Sequence, residues 1–368
     1  MGLGHDMVEA IFREHSFSPI TGDVLLIGRQ TVYFTPEELL VLAREHGIGL
    51  DAQVEDIAID TTTQDRRSVY ADKDLVADTA IFKLCGNQRV RALDHTHYEG
   101  AEVVHNLNLP LPEELKGIAD FIVDGSTLDN VFSPNLALRN LAEMLRPGGR
   151  LLMINQWSNH HNPYVLVSPL WLLDYFAINK FVDCKVYLIV YLPPSGTNIF
   201  TVNLEWLLDP TRSMGTFAWP SPCEVGTIVL AEKGPESTTE ATPTQQHYRS
   251  KEDWPAYRRV INNFRIHPRP HVLRSRGEMA FEDVVGGHWF VTGDYSTIEP
   301  GDRAELVMKM REAERMLREA DAIREAAVRE ADAIREAAVQ EVRFAFLNPV
   351  KRATLSMIRR AGYRLEKT

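Results

Sequence analysis

Over residues 1–235, short apolar runs alternate with stretches of helical periodicity. Asp23-Val-Leu-Leu-Ile-Gly28 is apolar along its length and ends in glycine, which predicts a strand buried on both faces. Thr35-Pro36-Glu37-Glu38 then supplies an N-cap hydroxyl, a proline at the first helical position and acids near the positive dipole end, and Gly47 supplies the stop. The same reading predicts helices over 72–84, 110–117 and 133–146 and one opening at Ser168-Pro169. It predicts further strands over 90–94, 101–105, 120–124, 150–155, 185–192 and 225–231. Strands apolar on both faces, separated by helices, imply an α/β fold: a mostly parallel seven-stranded sheet covered on each side. Right-handed crossovers bring the loops after the strand carboxyl ends to one rim, where open sheets of this kind bind ligands.

The pattern then changes. From Lys233 to Arg249 the chain is polar and carries Pro235 and Pro243, so 236–300 reads as a linker and accessory segment, with a helix near 254–264. The run Arg318 to Val328 is repeated residue for residue as Arg329 to Val339. Ala320, Ile323, Ala327, Ala331, Ile334, Ala338 and Val342 form a stripe, and an eleven-residue period keeps such a stripe on one face of a nearly straight helix. No glycine or proline interrupts Arg303 to Leu347, which predicts a long C-terminal α-helix of about 65 Å. The domain reading is therefore 1–235 α/β domain, 236–300 linker, 301–347 long coiled-coil-like helix and 348–368 basic amphipathic tail. A solvated single helix with pairs such as Glu325–Arg329 is the plainer alternative, but it leaves Ile323 and Ile334 exposed. A partner helix, in a second copy of the chain or another protein, is the expectation for 303–347.

Charge sharpens this division. The chain carries a formal −11, yet residues 343–368 alone carry +6, leaving −17 on the rest. An acidic body does not suit nucleic acid. The basic tail suits an acidic groove of a protein partner ahead of a membrane surface, because its apolar face has no Trp or Phe anchor. No apolar run approaches the roughly 20 residues of a membrane span. Met1 to Phe12 lacks a basic start, so no signal peptide is expected. Cys85, Cys184 and Cys223 are scattered and read as reduced thiols of a cytoplasmic protein.

Asp94 ends the second strand, where a carboxylate can accept two hydrogen bonds from a ribose diol. His95, His97, Asp94 and Glu99 invite a metal reading, but one loop constrains too few ligands, and no metal is expected. The spaced glycines that admit a pyrophosphate are missing, which argues against a nicotinamide-dependent oxidoreductase.

Ile27-Gly28-Arg29-Gln30, Leu93-Asp94, Tyr98-Glu99-Gly100-Ala101, Asn106-Leu-Asn-Leu-Pro110, Asp124-Gly-Ser-Thr-Leu and Arg146-Pro-Gly-Gly149 together resemble class I methyltransferases. The likeness spans roughly residues 23–248 and is to the bacterial group found with surface-polysaccharide genes. It implies a Rossmann-like fold, S-adenosylmethionine as cofactor, and a small acceptor hydroxyl, a sugar in surface-glycan synthesis, as substrate. By this resemblance Asp94 would hold ribose with His95 beside it in the same loop, Asn106 and Leu107 would frame adenine, and Gly28 would let the backbone approach the methionine moiety. Asp124 would complete the rim.

Two departures matter. The general loop has three spaced glycines after an acid, and here only Gly28 remains, so Arg29 and Gln30 would either crowd the cofactor or contact it. The relatives also carry a histidine where this chain has Asn130, which cannot act as a base. His160 and His161, after the fifth strand, are the candidate bases for deprotonating an acceptor. An exposed polar loop is the plainer account of that segment. The alternative for the whole chain is a catalytically inactive methyltransferase-like scaffold that assembles through its C-terminal helix.

Overall fold

The computed structural model describes residues 2–62, 72–158, 163–191, 197–201, 224–245, 248–267 and 271–273, together with Ala353, Ser356 and Met357. The chain divides into two units, Met1–Gly293 and Asp294–Thr368, and only those last three residues, all helical, represent the second. The repeat helix expected over 303–347 lies outside the described residues.

The first unit is built on an eight-stranded sheet. Its strands are β2 (Val24–Ile27), β4 (Val90–Asp94), β5 (Val103–Val104), β6 (Ala119–Gly125), β7 (Leu145–Ser158), β8 (Asp183–Tyr191), β9 (Thr197–Thr201) and β10 (Glu224–Glu232). They lie in the order β5-β4-β2-β6-β7-β10-β8-β9. The first five are mutually parallel, whereas β10 runs antiparallel to both β7 and β8, and β9 antiparallel to β8. The order 3-2-1-4-5 of the parallel strands is that of a Rossmann-like sheet. Seven strands were expected, and the eighth is β9, which pairs with the outer edge of β8. A separate two-stranded parallel piece joins β1 (Gly2–Leu3) to β3 (Thr31–Val32).

The central strand β2 is buried along its whole length, as its unbroken apolar run requires, whereas the edge strand β5 leaves Val104 exposed. Leu25 and Ile27 face a cluster built with α4 (Pro134–Met144), α5 (Pro169–Ile178) and α6 (Trp254–Ile266). Val24 and Leu26 face a second cluster with α1 (His5–Phe17), α2 (Pro36–Glu45) and α3 (Asp78–Leu84). The start of α2 is a capping box: Thr35 Oγ1 accepts from the Glu38 amide and Glu38 returns a carboxylate to the Thr35 amide.

Two expected boundaries move. The helix expected over 72–84 begins only at Asp78, because Val76 is drawn into a bridge with Ile59. The segment expected to be a helix at 110–117 is a single 3₁₀ turn, Glu113–Leu115. The helix α1, which the apolar pattern did not single out, is tied to the sheet by a buried ion pair between Glu14 and Arg150. Arg150 also donates to the carbonyls of Ser18 and Pro19.

After β10 the chain forms a strap across α5. The fully buried Asn179 holds it: Nδ2 donates to Ala241 O at 3.0 Å, and Oδ1 accepts from Ala241 N and from Thr238 Oγ1. Cys85 and Cys184 are free thiols, and burial pushes Cys85 up to about 12. No helix among the described residues is long and apolar enough to cross a membrane.

Candidate functional site

Strand order reverses at β2, which is flanked by β4 on one side and β6 on the other. In open α/β sheets the crevice beyond the strand carboxyl ends at such a point is the ligand site. Here the chain leaves β2 through Gly28 at φ +74°, a left-handed conformation that favours glycine, and the Gly28 amide donates to Leu93 O at 2.7 Å. That bond pins the first loop against the end of β4.

A cavity of about 280 Å³ opens there. Gly28, Asp94, His95, Asn106 and Leu107 all line it, so five of the residues singled out in the sequence converge on one space. Asp94 Oδ1 accepts from the His95 amide at 2.5 Å, which fixes the carboxylate rotamer. Its Oδ2 accepts no hydrogen bond among the described residues and lies on the Gly28 side, 3.8 Å from where a Cβ on Gly28 would stand. The Asn106 side chain closes its own loop by accepting from the Asn108 amide and side chain. Asn140 of α4, itself buried, donates to the carbonyls of Leu107 and Leu109 and so clamps that loop in place.

The opposite wall comes from the turn after β6. Thr127 Oγ1 donates to Ile27 O at 3.0 Å, joining this turn to the first loop. Asp124 does not line the cavity. It is fully buried, and its two oxygens accept from the amides of Thr127 and Leu128. Burial pushes its carboxyl up to about 7, with nearby Asp129 adding to the effect and the two amide bonds opposing it. Its part is to hold the turn. Asn130 likewise serves structure, donating to Ser126 O and to Asp129.

Arg29 and Gln30 also stand apart from the cavity. Arg29 reaches away to pair with Asp78 at 3.3 Å and Glu102 at 2.8 Å. Gln30 folds back inside the loop, and its Nε2 donates to the carbonyls of Ile27 and Gly28 at 2.8 and 3.1 Å. Its backbone amide donates to Asp78, whose carboxyl is pushed up by burial. The side chains of Asp94, His95, His97 and Glu99 form no converging metal-ligand group among the described residues. His160 and His161 lie outside the described residues.

Sequence reasoning missed four wall residues: His105, Asn108, Thr127 and Val131. His105 Nε2 is buried without a partner among the described residues. The position of His105 one residue before Asn106, at the end of β5, was the available signal. The site is thus acceptor-rich and acidic, suited to ligand hydroxyl and amino donors, not to a pyrophosphate. A volume of about 280 Å³ lies near the lower end of small-molecule pockets, roughly 300–1,000 Å³, and suits a nucleoside-sized group.

The fold and this crevice define a Rossmann-like α/β chain with a cavity at its topological switch point. No protein-family model matches the sequence, and no curated protein matches it. Among solved structures, the chain is similar to the YcgJ protein of Bacillus subtilis, at 13% identity and a TM-score of 0.30, over 62% of this chain and 99% of that one. It is also similar to a Thermotoga maritima SAM-dependent methyltransferase, described as a possible histamine N-methyltransferase (17% identity, TM-score 0.28, 39% and 73% of the two chains). A third is Haemonchus contortus phosphoethanolamine N-methyltransferase 2 in complex with S-adenosylhomocysteine (10% identity, TM-score 0.30, 61% and 52%). This chain spans about half the length of the last.

Proposed function

We propose that this chain is a class I S-adenosylmethionine-dependent methyltransferase whose rim cavity receives the adenosyl end of the cofactor. The observation that carries the reading is the convergence of Gly28, Asp94, Asn106 and Leu107 on one cavity beyond the ends of β2 and β4. Asp94 Oδ2 accepts from ribose hydroxyls, and the rotamer lock from the His95 amide means little ordering is needed on binding. Leu107 gives an apolar face for a base, while Asn106 and Asn108 hold the loop in shape. When bound, the cofactor supplies the methyl group. The acceptor is a small molecule carrying a hydroxyl, with a glycan sugar as the first candidate, and His160 or His161 removes its proton.

Calorimetric titration of the full chain with S-adenosylhomocysteine tests this directly. Micromolar to submillimolar binding is expected, and absence of binding at millimolar ligand overturns the reading. Replacing both His160 and His161 by Gln should lower turnover about a hundredfold or more and leave cofactor affinity near normal.

One observation favours the second reading, an inactive scaffold that assembles through 303–347. The Gln30 carboxamide already occupies the carbonyls of Ile27 and Gly28, so the first loop is closed by its own side chain. Under that reading adenosylhomocysteine does not bind, and light scattering gives a multimer for the full chain and a monomer for a version ending before Arg303.

A further inference from the structure

A second, larger cavity of about 490 Å³ lies between α4 and α5 beneath the strap that follows β10. It shares no lining residue with the rim cavity. Its walls are mostly apolar, with Leu136, Leu170, Trp171 and Pro243 prominent, and Tyr175 fixes the roof by donating from its hydroxyl to Thr239 O at 3.0 Å. The four bonds of Asn179 to its surroundings keep the strap at its height above α5. This space is therefore preformed.

Three charged side chains stand in the wall: Arg139 and Glu240, which pair with one another, and Asp174. Asp174 is 4% exposed, and its Oδ2 is taken by Arg249 Nη2 at 2.8 Å from behind the cavity. Its Oδ1 has no partner among the described residues. Arg249 is itself buried, lies with its guanidinium 3.4 Å above the Tyr257 ring, and among the described residues leaves Nε and Nη1 without hydrogen-bond partners. A buried ion pair with half of its hydrogen-bonding capacity unused is costly to keep, because each unmet group forfeits its solvation. Here that cost is carried at the wall of a largely apolar pocket.

We propose that this cavity binds a small neutral molecule with an apolar body and a hydroxyl group that donates to Asp174. A donor is required because a carboxylate only accepts, and the ion pair with Arg249 leaves Asp174 ionised at neutral pH although burial pushes its carboxyl up to about 6. The molecule is neutral because Arg249 already balances the carboxylate, and a second buried cation would stand uncompensated. Trp171 and Tyr175 supply flat surfaces for a ring. The site is independent of the cofactor reading, so either can fail without the other.

The test is ligand-observed NMR on the full chain with 4-ethylphenol, and with ethylbenzene as the probe lacking a hydroxyl. Millimolar or tighter binding of 4-ethylphenol is expected, about tenfold tighter than ethylbenzene, the worth of one hydrogen bond to a charged acceptor. Leu136→Trp fills the cavity without touching the ion pair and should abolish binding of both probes. The double variant Asp174→Leu/Arg249→Met removes both charges together, an exchange that buried ion pairs often tolerate, and should bind the two probes equally. Circular dichroism confirms the fold of each variant, and Leu136→Trp carries the test alone should the double variant unfold. The proposal is overturned if the native chain does not bind 4-ethylphenol, if ethylbenzene binds as well, or if folded Leu136→Trp binds undiminished.

Discussion

A Cβ placed on Gly125 would stand 1.9 Å from Oε1 of Gln30, so the glycine that ends β6 is the space into which the glutamine of the first loop folds. The two positions are coupled by contact. Gly125→Ala should cost about 1–3 kcal/mol through overpacking, and most of that cost should vanish in a Gln30→Ala background. Urea denaturation of the two single variants and the double variant gives the coupling, and additive losses would show that the two side chains do not meet.

The rim cavity predicts a specific loss at Asp94. Asp94→Ala removes the acceptor and should weaken S-adenosylhomocysteine by roughly ten- to a hundredfold, about 1.5–3 kcal/mol. Thermal unfolding should change little, because among the described residues the Asp94 side chain forms only the local bond to the His95 amide. Calorimetry reads the first effect and a melting curve the second. Equal affinity for the variant removes Asp94 from the site.

Asp124 makes stability depend on pH in an unusual direction. An aspartate in an unfolded chain titrates near 4, whereas in the fold burial pushes this one up to about 7. Between about pH 4 and 7 the folded chain keeps a proton that the unfolded chain has lost, so its contribution to stability falls as pH rises through that window. The expected change is a few kcal/mol, and Asp124→Asn should flatten it. Urea midpoints across the window decide the matter, and a variant with the native slope would clear Asp124.

Asn179 carries the strap. Asn179→Ala leaves the half-buried N–H and C=O of Ala241 without their side-chain partner and should destabilise by about 1–3 kcal/mol. Hydrogen exchange at the amides of 238–245 should quicken well beyond that of β10. Uniform quickening of both would mean that the strap and sheet open together.

The parallel half of the sheet was legible where its strands are continuous apolar runs bounded by glycine, proline and capping residues; Val24–Ile27 and Thr35-Pro36 needed no tertiary information. What escaped depended on contacts distant in sequence. The helix of residues 5–17 turns its apolar face to the sheet but also buries Asp6, Glu9 and Glu14, acids that weaken its apolar pattern. Only the fold brings Arg150 to Glu14. The candidate site divides the same way. Asp94 and Asn106 were readable as strand-end residues, while Thr127 joined the wall through a bond to Ile27, a hundred positions earlier. That Arg29 would leave the loop for Asp78 and Glu102 had no local signal.

The placement of β10 between β7 and β8 has a consequence for biosynthesis. When a ribosome has released β7 and β8, the slot between them is empty, and each presents an open edge that only residues 224–232 can close. Those edges are apolar on both faces, the kind of surface that recruits strands from neighbouring nascent chains. Chaperone demand should therefore peak just before β10 emerges, and a ribosome stalled upstream of it would hold a chain whose sheet has a gap through the middle.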